Sequence, residues 1–225
     1  MPERVCVYAV VSGATGPLRA EGAAGERLRR VRVVGLDLVI GVVPRPPRTT
    51  TAALKRYDAA VRRLMATHGS VLPARYGTCA ATLEELALAT RDRREALRRS
   101  LHLVRHRVQM TVRVFTRAGP VARPFAAAVE YGGGTAEGRQ YLHRRAAELQ
   151  VPGTEPLRDA VKRYVRAERS IRHEGGQLAG SIYHLVPRAA APAYRVALER
   201  AALAAGLTVV VSGPWPPYAF AGGEW

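Results

Sequence analysis

The chain runs to 225 residues with 48% hydrophobic content, enough for a packed core in one large domain or two smaller ones. No apolar run approaches the ~20 residues of a membrane span, and Met1-Pro2-Glu3-Arg4 lacks the parts of a secretion signal, so a soluble, cytoplasmic protein is expected. A formal charge of +17 raises an arginine-rich nucleic-acid-binding protein as an alternative, but the charge is spread evenly, with 18 basic and nine acidic residues over 1–104 and 17 and nine over 105–225.

In chain order the first part reads as strand, loop, two strands, helix, strand, helix. A strand over 4–11 is followed by a loop from Gly13 to Gly25. Residues 29–34 and 36–43 form a strand pair bent about Gly35 and stopped by Pro44, Pro46 and Pro47. The Thr49–Thr51 run supplies N-caps for a helix over 51–68, in which Leu54, Tyr57, Val61, Leu64 and Met65 step by three or four, with Gly69 as a left-handed cap. Val71–Thr78 reads as an inner strand. Thr82 and Glu85 make a capping box for a helix with a break near Thr90, after which Asp92 caps its continuation. Cys6 and Cys79 fall in predicted strands without metal-ligand spacing and are expected to be buried free thiols.

The second part opens on a strand over 108–115 that places Val108, Met110, Val112 and Val114 on one face. Helices are predicted near 136–150 and over 155–173, the latter entered through Thr154 and Pro156. Ser181–Pro187 reads as a strand, 190–205 as a helix closed by Gly206, and Leu207–Val211 as a buried strand. Strands and helices that mix without steady βαβ repetition indicate an α+β protein. The expected organisation is two packed, ferredoxin-like α+β domains, 1–104 and 105–213, with an extended C-terminal arm over 214–225.

That arm is the most specific part of the chain. Pro214, Pro216 and Pro217 exclude helix and central strand, because proline fixes φ and has no N–H to give to a ladder. Trp215, Tyr218 and Phe220 are thereby held on a stiff backbone suited to docking, which is expected to run back along the chain's own second part and to offer an aromatic group to a partner. Arg75, beside Tyr76 in the predicted inner strand, is the charge singled out as a further contact.

Catalytic patterns are missing from the sequence. It has no GxSxG elbow, HExxH, Walker loop or paired CxxC. Tyr131–Thr135 is glycine-rich without phosphate-loop spacing. His102 and His106 lie four apart without a third ligand, and His68 and His184 fit ordinary helix and strand positions. No catalytic, cofactor-binding or metal-binding residue is assigned, and no cofactor is expected. The arginine clusters at 27–32, 91–99 and 163–172 read as solvated faces able to meet an acidic partner through guanidinium forks.

Five segments together carry a resemblance: Val7–Val11, Val71–Thr78, Gly138–Arg145, Leu185–Arg188 and the strand-GPWPPYxF tail that ends at Phe220. In this order they resemble the gas vesicle protein GvpF/GvpL family over nearly the full chain. The resemblance implies a ferredoxin-like fold and a non-enzymatic assembly factor or minor component of gas vesicles. It further implies contact with the shell protein GvpA and other minor vesicle proteins, with Arg75, Tyr76, Pro214, Trp215, Pro216, Pro217, Tyr218 and Phe220 as interaction candidates. The expected location is the gas vesicle in the cytoplasm, away from any membrane.

Overall fold

The computed structural model describes residues 3–14, 18–116, 151–173 and 176–221. The helix expected near 136–150, the Tyr131–Thr135 glycines and the Gly138–Arg145 segment lie outside them. The described chain is α+β, with two antiparallel sheets and flanking helices. It divides by packing into two units, one of Met1–Gln109, Leu185–Ala191 and Gly213–Trp225, the other of Met110–His184 and Pro192–Ser212.

In the first unit β1 (Arg4–Ala14) is the axis of a sheet. It pairs antiparallel with β3 (Leu36–Val43), β4 (His68–Pro73) and the short β5 (Cys79–Ala80), while β2 (Arg29–Val33) joins β3 in the order β2-β3-β1-β4. Every residue from Val5 to Val11 is buried, as an apolar run covered on both faces requires. α1 (Thr51–Thr67) starts where Thr50 Oγ1 accepts the Ala53 N–H, and it packs Ala53, Tyr57, Val61 and Leu64 with Tyr8, Val11, Val39 and Val71. Leu38 and Ile40 alternate with Val39 and so bury toward the opposite face. α2 (Leu83–Leu103) lies against β1, β4 and β5 and buries Leu86, Leu97 and Leu101. Both faces of this sheet are thus buried.

Several local expectations change. His68 already belongs to β4, so Gly69 sits inside that strand and not at a helix cap. β4 stops at Pro73, which moves Arg75 out of the predicted inner strand and into the exposed turn whose Thr78 N–H donates to the Arg75 carbonyl. α2 runs through Thr90 without a break because the Thr90 hydroxyl donates back to the Leu86 carbonyl within the helix. Cys6 and Cys79 are opposite one another in the β1–β5 register and are joined as a disulfide, not free thiols.

The second sheet has the order β7-β8-β6-β9, made from β6 (Arg107–Phe115), β7 (Ala167–Arg172), β8 (Leu178–Pro187) and β9 (Thr208–Trp215). α3 (Glu155–Val161) and α4 (Ala191–Ala204) accompany it. The helix expected over 155–173 ends at Val161, and its second half is the edge strand β7. β9 extends through Pro214 and Trp215, further than expected and partly exposed, which an edge strand tolerates because its outer N–H groups need no partner.

Candidate functional site

The tail residues belong to the first unit, where the sequence reading had sent them along the second part of the chain. β9 delivers Trp215, and a short 3-10 turn, Tyr218–Phe220, follows and packs against β4. Pro216, Pro217 and Phe220 are buried, whereas Pro214 and Tyr218 are exposed and Trp215 is half-buried. The prolines and Phe220 thus anchor the tail, and the groups between them stand at its surface.

α1 supplies the polar half of this site. The Arg62 guanidinium lies 4.4 Å from the centre of the Trp215 ring, a cation–π contact. Arg62 Nε donates to Asp58 Oδ2 at 2.6 Å, and the Tyr218 hydroxyl donates to Asp58 Oδ1 at 3.1 Å. Asp58 and Arg62 are one helical turn apart, so a single face of α1 receives both aromatic groups. The Tyr218 ring is partly exposed, but its hydroxyl points into the contact with α1, where desolvation and then the Asp58 carboxylate raise its pKa, so Tyr218 stays a donor. The Ala219 N–H donates to the Gln109 side-chain oxygen at 2.8 Å, which fixes the backbone between Tyr218 and Phe220.

Behind the site runs a row of tyrosines. The Tyr8 and Tyr57 rings stack at 5.0 Å, and Tyr76 meets Tyr57 edge-on at 5.3 Å. The Tyr57 hydroxyl reaches the carbonyls of Tyr8 and Ala74, and the Tyr76 hydroxyl donates to the Arg48 carbonyl at 2.9 Å. Desolvation raises the pKa of both Tyr8 and Tyr57. Tyr76 is therefore tied to the core edge, while the exposed Arg75 sits beside it in the turn. Asp58, Arg62 and Gln109, which fix the tail, were not singled out in the sequence; the step of four between Asp58 and Arg62 was the available signal.

The second unit contains a buried polar network that the sequence reading passed over. His184, which is 1% exposed, places Nδ1 at 2.6 Å from the Tyr194 hydroxyl and Nε2 at 2.9 Å from Glu168 Oε2. Arg158 Nε donates to Glu168 Oε1 at 2.9 Å, and the Ser170 hydroxyl donates to the same oxygen. Burial would raise the Glu168 pKa, but His184 and then Arg158 outweigh it and hold the carboxyl down to about 2. β7, β8, α3 and α4 each contribute a member, so the network ties four elements together. Among the described residues no group of three metal-ligating side chains converges, and no helix is long and apolar enough to cross a membrane.

The family model described as Gas vesicle synthesis protein GvpL/GvpF matches residues 5–222. The chain is 30% identical, over a 251-residue alignment, to Gas vesicle protein L of Streptomyces sp. (strain CB03234), covering 96% of this chain and 92% of that protein. Its fold is similar to the crystal structure of gas vesicle protein GvpF from Microcystis aeruginosa, with a TM-score of 0.73, 12% identity, and coverage of 97% of this chain and 99% of the other. It is equally similar to the crystal structure of GvpF from Anabaena sp. PCC7120, at a TM-score of 0.73, 12% identity and 98% of both chains. These comparisons give no support to the nucleic-acid alternative.

Proposed function

Because this chain belongs to the GvpL/GvpF family of gas vesicle synthesis proteins, we propose that it serves vesicle assembly as a non-enzymatic component that binds the shell protein GvpA and other minor vesicle proteins. The observation that carries this reading is the family match from residue 5 to residue 222, which takes in the tail. A shell subunit with much apolar surface would aggregate before assembly unless a partner covered that surface. Aromatic anchors and strand edges are the features that can cover it. In this reading Trp215, Tyr218, Pro214, Arg75 and Tyr76 make the contacts, and Pro216, Pro217 and Phe220 support them from below. The protein acts in the cytoplasm and at the vesicle.

Co-purification tests this. The tagged chain, expressed with its cognate shell protein and treated with nuclease at moderate salt, is expected to carry the shell protein with it. Trp215→Ala with Tyr218→Ala should reduce the recovery, whereas Arg29→Ala on the exposed β2 edge should not. Recovery of the tagged chain alone in repeated trials would remove the reading.

A further inference from the structure

A cleft of about 520 Å³ opens in the first unit where β1 and β4 meet the last turns of α1 and α2. Its floor holds Ser12 and Ser70, which are paired across β1 and β4. Its walls carry Arg98, His102, Arg105 and His106, and no described residue lining it is acidic. A second hollow of about 280 Å³ shares His102, Arg105 and His106 and continues the cleft toward Arg107 and Pro187.

His106 is built into this place. Its φ of 55° lies in the left-handed region; its N–H donates to the Gly69 carbonyl at 2.8 Å, and its carbonyl accepts the Arg188 N–H at 3.0 Å. The imidazole lies over Gly69, where a Cβ would come within 3.1 Å of His106 Cε1. A glycine is thus what lets the ring lie along the cleft.

Basic residues near helix ends commonly serve to cap the terminal carbonyls. Here other groups perform that task. The Thr67 hydroxyl donates to the Arg63 and Leu64 carbonyls, and Arg188 donates to the Met65 carbonyl. The Val104 N–H serves Ser100 and His102, and Arg107 serves Leu103. Among the described residues Arg98 has one carboxylate neighbour, Glu95 at 3.5 Å, across an exposed helical turn where such a pair contributes little. The concave surface therefore gathers positive charge that the helix ends do not consume, and such a surface attracts anions.

We propose that this trough binds an acidic peptide segment, with the Arg98 and Arg105 guanidinium forks taking its carboxylates and the Ser12 and Ser70 hydroxyls donating from the floor. Two hollows in succession accommodate an extended chain with carboxylates at several positions, more room than one phosphate fills. This inference rests on the packing of the first unit and is independent of the vesicle reading.

The test is fluorescence anisotropy of a labelled hexaglutamate peptide with the full-length protein. Binding at low salt is expected to weaken on screening, and Arg98→Ala with Arg105→Ala should weaken it by about tenfold or more. Arg45→Ala with Arg48→Ala removes the same charge from the exposed loop before α1 and should change the affinity by less than about twofold. If the alanine pair at 98 and 105 does not fold, Arg98→Gln with Arg105→Gln keeps the aliphatic stems and gives the same reading. Equal losses in the two pairs of variants, or absence of peptide binding at low salt, would overturn the proposal. So would tighter binding of tripolyphosphate than of hexaglutamate, which would assign the trough to a phosphate ligand.

Discussion

Val34 and Gly35 take φ values of 48° and 77° in the two-residue turn that joins Val33 to Leu36. A turn of this kind matches the twist of a hairpin but needs both central residues in the left-handed region, where a β-branched side chain crowds its own backbone. Val34→Asn is expected to stabilise the protein by about 1 kcal/mol, read as a higher urea midpoint. An unchanged or lower midpoint would mean that the half-buried valine contributes packing that outweighs the strain. At the tail, Phe220 is 3% exposed, and its replacement by alanine should cost about 3 kcal/mol. Tyr218→Phe loses only the hydrogen bond to Asp58, which keeps its Arg62 partner, and should cost about 1 kcal/mol. The stiffness of this segment was legible because Pro214, Pro216 and Pro217 leave the backbone few conformations. The surface that receives it was not, because the contact between Asp58 and Tyr218 spans 160 residues.

Elements with a local signal were readable. α1 has its Thr50 cap and its stripe of apolar residues, and α2 has Thr82 Oγ1 accepting from the Glu85 N–H. β7 was misread as helix because its half-buried positions, Ala167 and Ser170, fall three apart and do not alternate. What makes it a strand is its place beside β8 and the network from Glu168 to His184 and Arg158, none of it local. That network makes a pH prediction. The Glu168 pKa is depressed in the folded protein, so its contribution is present above the ordinary value of 4.5 and is lost as the pH falls toward about 2. Glu168→Gln should destabilise the protein at neutral pH and flatten the fall in urea midpoint between those limits. A parallel fall in parent and variant would show that other carboxyls carry it. The pairing of Cys6 with Cys79 was equally hidden, since the two are separated by 73 residues. Closing a loop of that length is worth at most about 4 kcal/mol in chain entropy, so Cys6→Ser with Cys79→Ser should lower the midpoint and remove its sensitivity to reductant. An unchanged midpoint would show that the β1–β5 pairing stands without the link.

At the scale of the molecule, the α+β class followed from how strands and helices succeed one another, and family membership from segments distributed along the whole chain. The grouping of the tail with the first unit could not be read from composition or periodicity, because both describe neighbours in sequence and this contact joins the end of the chain to its first half. The charge of +17 pointed weakly to nucleic acid, and its more specific expression is the basic cleft between α1 and α2. The central claim is a role in gas vesicle assembly. Its most direct test removes this gene from a vesicle-producing gene set and counts gas vesicles by electron microscopy, with pressure-sensitive turbidity as the bulk reading. The account predicts that vesicles are lost or sharply reduced, that the parent chain restores them, and that Trp215→Ala with Tyr218→Ala restores them poorly. Normal numbers of vesicles without the gene would contradict it.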